Sequence, residues 1–461
     1  MKKSEQAAIM SESTESTSQA PLAKLTALLE SGTYRQIRNL IDSLKPEDLA
    51  DLLESSPPRE RAIIWSLTTE ARQSDILQSV DEDIVNDLLS DKTEQEIIQL
   101  LEDVDSDDDL TDILQQLPEA IVAQVLESMD AQDRARLENL LSWPEDTAGG
   151  LMNTDTVSVR ARVTLDVVLR YLRRHHELPP ITDSIFVVSG TDEFIGLLPI
   201  SKLLISDPSL TVREMMTTDI QPIPAAMHET EVAQLFERYD LISAPVVDDD
   251  GKLLGRITID DVVDVIMDEA DHSLLGMAGL TEDDDPFAPV FKTVRMRTFW
   301  LGANLLTAFL ASAVINIFEE TIAKVVALAV LMPIVASMGG VAGSQALTVV
   351  IRSMAQGHLV GSNQRWLLSR EFLVGIINGL FWAAIVAVGA SLAFQDPLLG
   401  LIIAMALVIN LVTAGIAGAS LPGILKRLRI DPAIAGTVVL TTITDVVGFM
   451  SFLGLATIFY A

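Results

Sequence analysis

Five apolar stretches follow residue 298, each long enough to cross a hydrocarbon layer about 30 Å thick. They cover 299–318, 322–351, 371–394, 397–420 and 433–460. Lipid offers the backbone no water, so each stretch must satisfy its own amides as a helix. The last third of the chain is thereby confined to a helical bundle. Charge divides the chain at the same place. From Phe299 onward six acids meet seven bases, whereas 59 acids stand against 25 bases before it, a net of −34. Only this partition reconciles a formal charge of −33 with a mean hydropathy of +0.34. The acidic field repels nucleic acid and anionic lipid and attracts cations; simple solubility is its plainer reading. The absence of cysteine excludes disulfides and thiolate metal sites.

Loop charge sets the expected orientation. Lys292, Arg295 and Arg297 precede the first span, Arg352, Arg365 and Arg370 flank the second loop, and Lys426 to Arg429 fill the fourth. Glu319, Glu320 and Asp396 occupy the alternate loops. The positive-inside rule then predicts cytoplasmic N-terminal domains and a C-terminus outside, in the cell (inner) membrane.

The last span contains Asp445, although a carboxylate at mid-bilayer costs about 2.5–3.5 kcal/mol on the lenient insertion scale. Thr437, Thr441, Asp445 and Gly448 share one helical face. Asp445 falls about 18 Å along a helix begun at Ala433, near mid-membrane. The second span carries a similar stripe of Gly340, Ser344 and Thr348 with Gln345 beside it, and the fourth has Asn410, Thr413 and Ala417. Of these, Thr437, Gly448, Asn410, Gly340, Ser344 and Gln345 are the expected pore lining, beside Asp445 and Thr441. A buried aspartate capped by hydroxyls is the alternative. Small residues at four-residue spacing, as in "GGVAG" (339–343) and "GIING" (375–379), suit close helix packing.

Upstream, residues 150–270 contain a repeat: "LMNTDTVSV" (151–159) returns as "MMTTDIQPI" (215–223). Each copy continues into a helix, a strand–turn–strand and a second helix. Twice over, this resembles a cystathionine-β-synthase (CBS) domain pair, with domains at 146–210 and 211–270. In that family the motif matching Gly255, Thr258 and Asp261 can hold ATP or another adenine nucleotide. The first copy has Gly196, Pro199 and Lys202 there, with no acid. Residues 22–145 read as an acidic helical domain of recurring units, a short superhelix. The run "EDVDSDDD" (102–109) lacks the glycine and final glutamate of an EF-hand. Residues 1–21 read as a disordered polar leader. Residues 271–298 read as a connecting helix along the membrane, ahead of the membrane domain at 299–461.

This order, with "WPEDTAGGLM" (143–152), "MPIVASMGGVAGSQALTVVIR" (332–352) and "DPAIAGTVVLTTITDVVG" (431–448), resembles the MgtE family of magnesium channels. The resemblance implies a homodimer with a Mg²⁺ site at Asp445 on the dimer axis, supported by Thr441. It implies regulatory magnesium at Asp431 and at Asp261 and Asp264. Asp261 is thus claimed by metal and by nucleotide alike. The chain departs from the family at Val341, where Asn is common, at Thr437 and Val438, where relatives carry Asn-Pro, and at His272 and Ser273, where a Glu-Asp pair is usual.

The expected function is Mg²⁺ transport, closed by cytosolic Mg²⁺ bridging the acidic domains. Other readings are Mn²⁺ or Co²⁺ transport, ion-coupled exchange, or a membrane-anchored CBS nucleotide sensor. An enzyme is not expected: no nucleophile–base pair stands out, and His175, His176, His228, His272 and His358 are scattered. Beyond metal and nucleotide, the expected partners are a second copy and membrane lipid, with no nucleic acid.

Overall fold

The computed structural model describes residues 34–460 except 81, 91, 102–103, 105–106, 175–177, 281–286, 288–289, 358 and 360–362. The leader, His175, His176, His358, much of the acidic run at 102–109 and part of the 271–298 stretch lie outside the described residues. Internal contacts divide the chain into two units between Ile266 and Met267.

In the first unit, nine helices of eight to ten residues lie among the described residues from Tyr34 to Leu140. Such short helices are marginal alone and depend on packing. Alternate helices stack: Pro46–Glu54 on Glu70–Leu77, that on Glu94–Leu101, and that on Glu119–Ser128. Buried polar groups tie successive layers. Arg61, 2% exposed, donates from Nε to the Leu53 carbonyl at 3.0 Å, and Ser74 donates to the Leu100 carbonyl at 2.7 Å. The apolar core runs on without a break into the second CBS domain. At the junction a Cβ on Gly149 would sit inside the Trp143 ring, so the glycine lets that indole close over the chain.

Each CBS domain is a three-stranded sheet. One contains β1 (Ser158–Arg160), β2 (Ser184–Val188) and β3 (Phe194–Pro199); the other contains β4 (Ile223–Pro224), β5 (Ser243–Val247) and β6 (Leu253–Thr258). In both, the first pair is parallel and the second antiparallel, with a register shift after Val187 and after Val246. The repeat also exchanges its linkers. Asn153, from the first copy, pairs with Arg256 of β6, and Thr217, from the second, pairs with Leu197 of β3. Gly255 and Gly196 make room: a Cβ there would lie 2.7 Å from the Asn153 carbonyl and 2.6 Å from the Thr217 carbonyl, respectively. The motif glycines therefore serve backbone approach, whatever else the motif binds.

The helix Ile259–Met277 begins as the last element of the second CBS domain and ends in the second unit. This differs from a separate connecting helix over 271–298. Asp261 starts it: its Oδ2 accepts from the Thr258 backbone N–H and hydroxyl, both at 3.1 Å. Nothing breaks the helix until Gly279, which has φ +73°. Residues 290–298 belong instead to the first membrane helix.

Five helices of the second unit are long and apolar enough to span a membrane. They are, in order, the first span (Val290–Ile317), the second (Ala327–Ala355), the third (Gln364–Phe394), the fourth (Pro397–Arg427) and the fifth (Pro432–Tyr460). Several outrun their apolar stretches, because Arg365, Arg370, Lys426 and Arg427 continue the helix with their charges at the ends. A short helix, Glu319–Lys324, precedes the second span, which starts at Ala327 rather than 322. The fourth span is the most buried and the first the least. Glycines set the closest approaches: Gly375 and Gly379 of the third span meet the Val412 and Val408 backbone of the fourth.

Candidate ion pathway

Asp431 opens the fifth span. Its Oδ1 accepts from the Ala433 N–H at 2.6 Å, and Pro432 supplies a first-turn residue that needs no amide partner. Its Oδ2 lies 2.5 Å from His272 Nε2 near the end of the Ile259–Met277 helix. Five residues later Met277 meets both the second and the fifth span. Its carbonyl takes the Thr437 hydroxyl and its sulfur takes the Thr348 hydroxyl, each at 3.4 Å. Gly276 permits this contact, since a Cβ there would lie 2.9 Å from the Ala433 Cβ.

A groove of about 780 Å³ runs between the second and fifth spans. Ala336, Ser337, Gly340, Val341, Ser344, Gln345, Thr348 and Val349 line one wall, and Thr441 and Asp445 the other. The expected residues Gly340, Ser344, Gln345, Thr441 and Asp445 are thus brought together. Gly340 faces open space, and Thr441 bonds its own helix through the Thr437 carbonyl at 3.0 Å. Among the described residues no hydrogen bond or ion pair reaches the Asp445 carboxylate. A half-buried acid in an apolar bundle thereby has both oxygens unengaged among the described residues.

Three residues expected in the pore are elsewhere. Asn410 is fully buried behind the groove, where its Nδ2 donates to the Val335 carbonyl at 2.8 Å. Gly448 is buried against the same amide. The fourth span lies at the centre of the bundle, so its polar side chain turns toward a neighbouring helix. Thr437 sits under Met277 rather than along the groove. Sequence reasoning did not single out Ala336, Ser337, Val349 or Met277; Ala336 and Ser337 continue the Gly340 stripe at helical spacing, Val349 follows Gln345 by four residues, and these three could have been found that way.

The remaining candidates stand apart. Asp264 is exposed on the Ile259–Met277 helix, and Thr258, 6% exposed, is bonded to Asp260 and Asp261. Among the described residues no three His, Asp or Glu side chains converge on a metal-sized site. At the far end of the fifth span, Tyr460 donates to Asp396, which also caps the fourth span through the Leu398 and Leu399 amides. The tyrosine hydroxyl, with the two amides, holds the Asp396 carboxyl below its ordinary range against the opposing effect of burial.

Comparison with known proteins decides the family. The MgtE family model, described as a divalent cation transporter, matches residues 332–455, the MgtE intracellular N domain matches 44–146, and a CBS domain matches 212–268. The magnesium transporter MgtE of Bacillus subtilis is 30% identical over 95% of this chain and 97% of its own length. This chain belongs to the MgtE family. The MgtE of Thermus thermophilus is also 30% identical, over 94% of this chain and 97% of its own. A solved cytosolic domain of the Mg²⁺ channel MgtE, in complex with ATP, is 31% identical and covers 53% of this chain and 99% of its own, with a TM-score of 0.47. The protein is accordingly a multi-pass membrane transporter of the MgtE family and not an enzyme.

Proposed function

We propose that two copies of this chain form a Mg²⁺ pathway, with one Asp445 from each facing the other across the axis. The unpartnered Asp445 carboxylate in the groove is the observation that carries this reading. Mg²⁺ takes oxygen ligands in octahedral geometry and gives up water reluctantly. One carboxylate with the Thr441, Ser344 and Gln345 oxygens covers part of such a shell, and a second copy brings an equal share. Two like charges at the axis raise the cost of ionisation unless a cation lies between them, so the site favours occupancy. Uptake of Mg²⁺ into liposomes holding the full chain should be lost in Asp445→Asn; undiminished uptake would sink the proposal. The same assay run with Mn²⁺, Co²⁺ and imposed ion gradients separates other cargoes and coupled exchange. Val341→Cys, 57% exposed on the groove in a chain without cysteine, should cross-link two copies.

The proposed orientation, from loop charge, puts the acidic domains in the cytoplasm. There, Mg²⁺ held by acidic residues such as Asp261 and Asp264, and by Asp431 in the second unit, would favour the state in which Met277 rests on Thr348 and Thr437. This is differential affinity for two conformations, and a near-complete switch needs about 5.5 kcal/mol spread over several sites. Millimolar Mg²⁺ should therefore slow proteolysis of the soluble region, and no change would remove the gating proposal. An adenine nucleotide is a second proposed ligand, held by Thr258 and Asp261 at the cost of their bonds to each other. Unaltered ATP binding by Thr258→Ala in equilibrium dialysis would discard it.

A further inference from the structure

Asn410 has no exposed surface, yet only half of its amide is satisfied. Nδ2 donates to Val335 of the second span, while Oδ1 is buried with no partner among the described residues. Leaving an amide oxygen unpaired in an apolar bundle is unfavourable, and an apolar side chain of similar size would avoid it. Two glycines make room for the amide. A Cβ on Gly339 of the second span would collide with Nδ2, and a Cβ on Gly448 of the fifth would lie 2.8 Å from it. These glycines are placed by the pathway itself. Gly339 precedes Gly340, which lines the groove, and Gly448 follows Asp445 by three residues, about 4.5 Å along the helix.

We infer that Asn410 is a positioning residue for ion selection. Wedged between the two walls at the level of Asp445, its amide sets their separation, and hence the width of the ion site, without touching the ion. The inference rests on the reading of Asp445 as the ion site. Small changes of width matter there, because oxygens lie at about 2.1 Å from Mg²⁺ and about 2.4 Å from Ca²⁺, and Ca²⁺ accepts irregular shells. A wall displaced by a few tenths of an ångström therefore acts on the difference between the two ions.

The test uses the full chain in liposomes, with Mg²⁺ and Ca²⁺ uptake measured separately and expressed as a ratio. Asn410→Ala removes the wedge and Gly339→Ala overfills its seat, so each should shift the ratio by about threefold or more. In the double variant the new methyl occupies space the amide vacated, and the ratio should return toward that of the parent. Packing alone would alter yield and thermal stability without this selectivity rescue. Gly448→Ala presses on the same amide from the fifth span and serves where Asn410→Ala does not fold. Parent-like ratios in the folded single variants, or a double variant whose ratio stays as far from the parent's as that of either single variant, would overturn the inference. Asp445→Asn runs alongside: retained uptake there removes the parent reading, whereas lost uptake with unchanged ratios at Asn410 removes this inference alone.

Discussion

Replacing His272 with alanine removes one hydrogen bond from the contact that holds Met277 against Thr437 and the Thr348 end of the groove, and leaves its other parts in place. Nε2 lies 2.5 Å from Asp431 Oδ2, and each side chain is 33% exposed. A hydrogen bond to a charged group contributes about 1.5–3 kcal/mol when well enclosed. Solvent at one-third exposure screens this toward about 1 kcal/mol. That corresponds to a roughly fivefold larger population in which the helix end has lifted. The fifth span itself should survive, because Oδ1 still caps Ala433 at 2.6 Å. The chain has no cysteine, so a single Thr437→Cys gives a clean reporter beneath Met277. Labelling at that position by a maleimide proceeds only while Met277 is away, and its rate should rise about fivefold in His272→Ala. Asp431→Asn keeps an oxygen for the cap but not the carboxylate, and should act in the same direction. Equal labelling rates in parent and His272→Ala would show that the contact does not hold the helix end. The same rates measured with Mg²⁺ address competition, since a metal on Asp431 must displace His272 or share Oδ2 with it.

Tyr460→Phe deletes the donor to Asp396 and should lower the thermal midpoint of the detergent-solubilised chain at pH 7. The carboxyl is held below its ordinary value of 3.8, so this stabilisation is present above that value and fades as pH falls through the lower folded value. A gap between parent and variant midpoints that does not narrow as pH falls below 3.8 would contradict the assignment. Gly375→Leu drives a side chain into the Val412 backbone and should destabilise the third and fourth spans by about 1–3 kcal/mol, read as loss of folded protein in detergent. Asp261→Ala removes the cap at Thr258 and should cost about 1 kcal/mol in the soluble region, visible as a lower unfolding midpoint.

The spans were legible because length and hydropathy report directly on what lipid permits. Their ends were not, since Gln364 to Arg370 can be loop or helix by composition and becomes helix only because charged ends reach water. The face carrying Gly340, Ser344, Thr441 and Asp445 followed from helical spacing. The same spacing failed for Asn410: periodicity groups residues on a face without saying which neighbour that face meets, and a helix surrounded by others has no outward face. The CBS repeat was visible as two copies, but the exchange of Asn153 and Thr217 between them was not. Only a missing Cβ at Gly196 and Gly255 permits it, and a glycine in a strand does not name the backbone that will approach it.

Three aspartates near the fifth span show how surroundings divide one functional group into different roles. Asp431 and Asp396 are built alike: Oδ1 caps a helix, and Oδ2 holds a side chain from another element, His272 in one case and Tyr460 in the other. Both oxygens are engaged, so an ion at either residue must displace a structural bond or share an oxygen with it. Asp445 has neither kind of partner among the described residues and sits half-buried in the groove wall. In an apolar bundle an ionised group in that condition is unfavourable by several kcal/mol unless opposite charge or ordered water answers it. No base among the described residues pairs with it, and a groove open along one side is where an answering charge can enter. The divalent ion proposed above, shared between two such carboxylates, would meet that requirement with the fewest groups. A monovalent ion leaves net charge behind, and a lysine or arginine supplied by a second copy would fill the path it is meant to keep open.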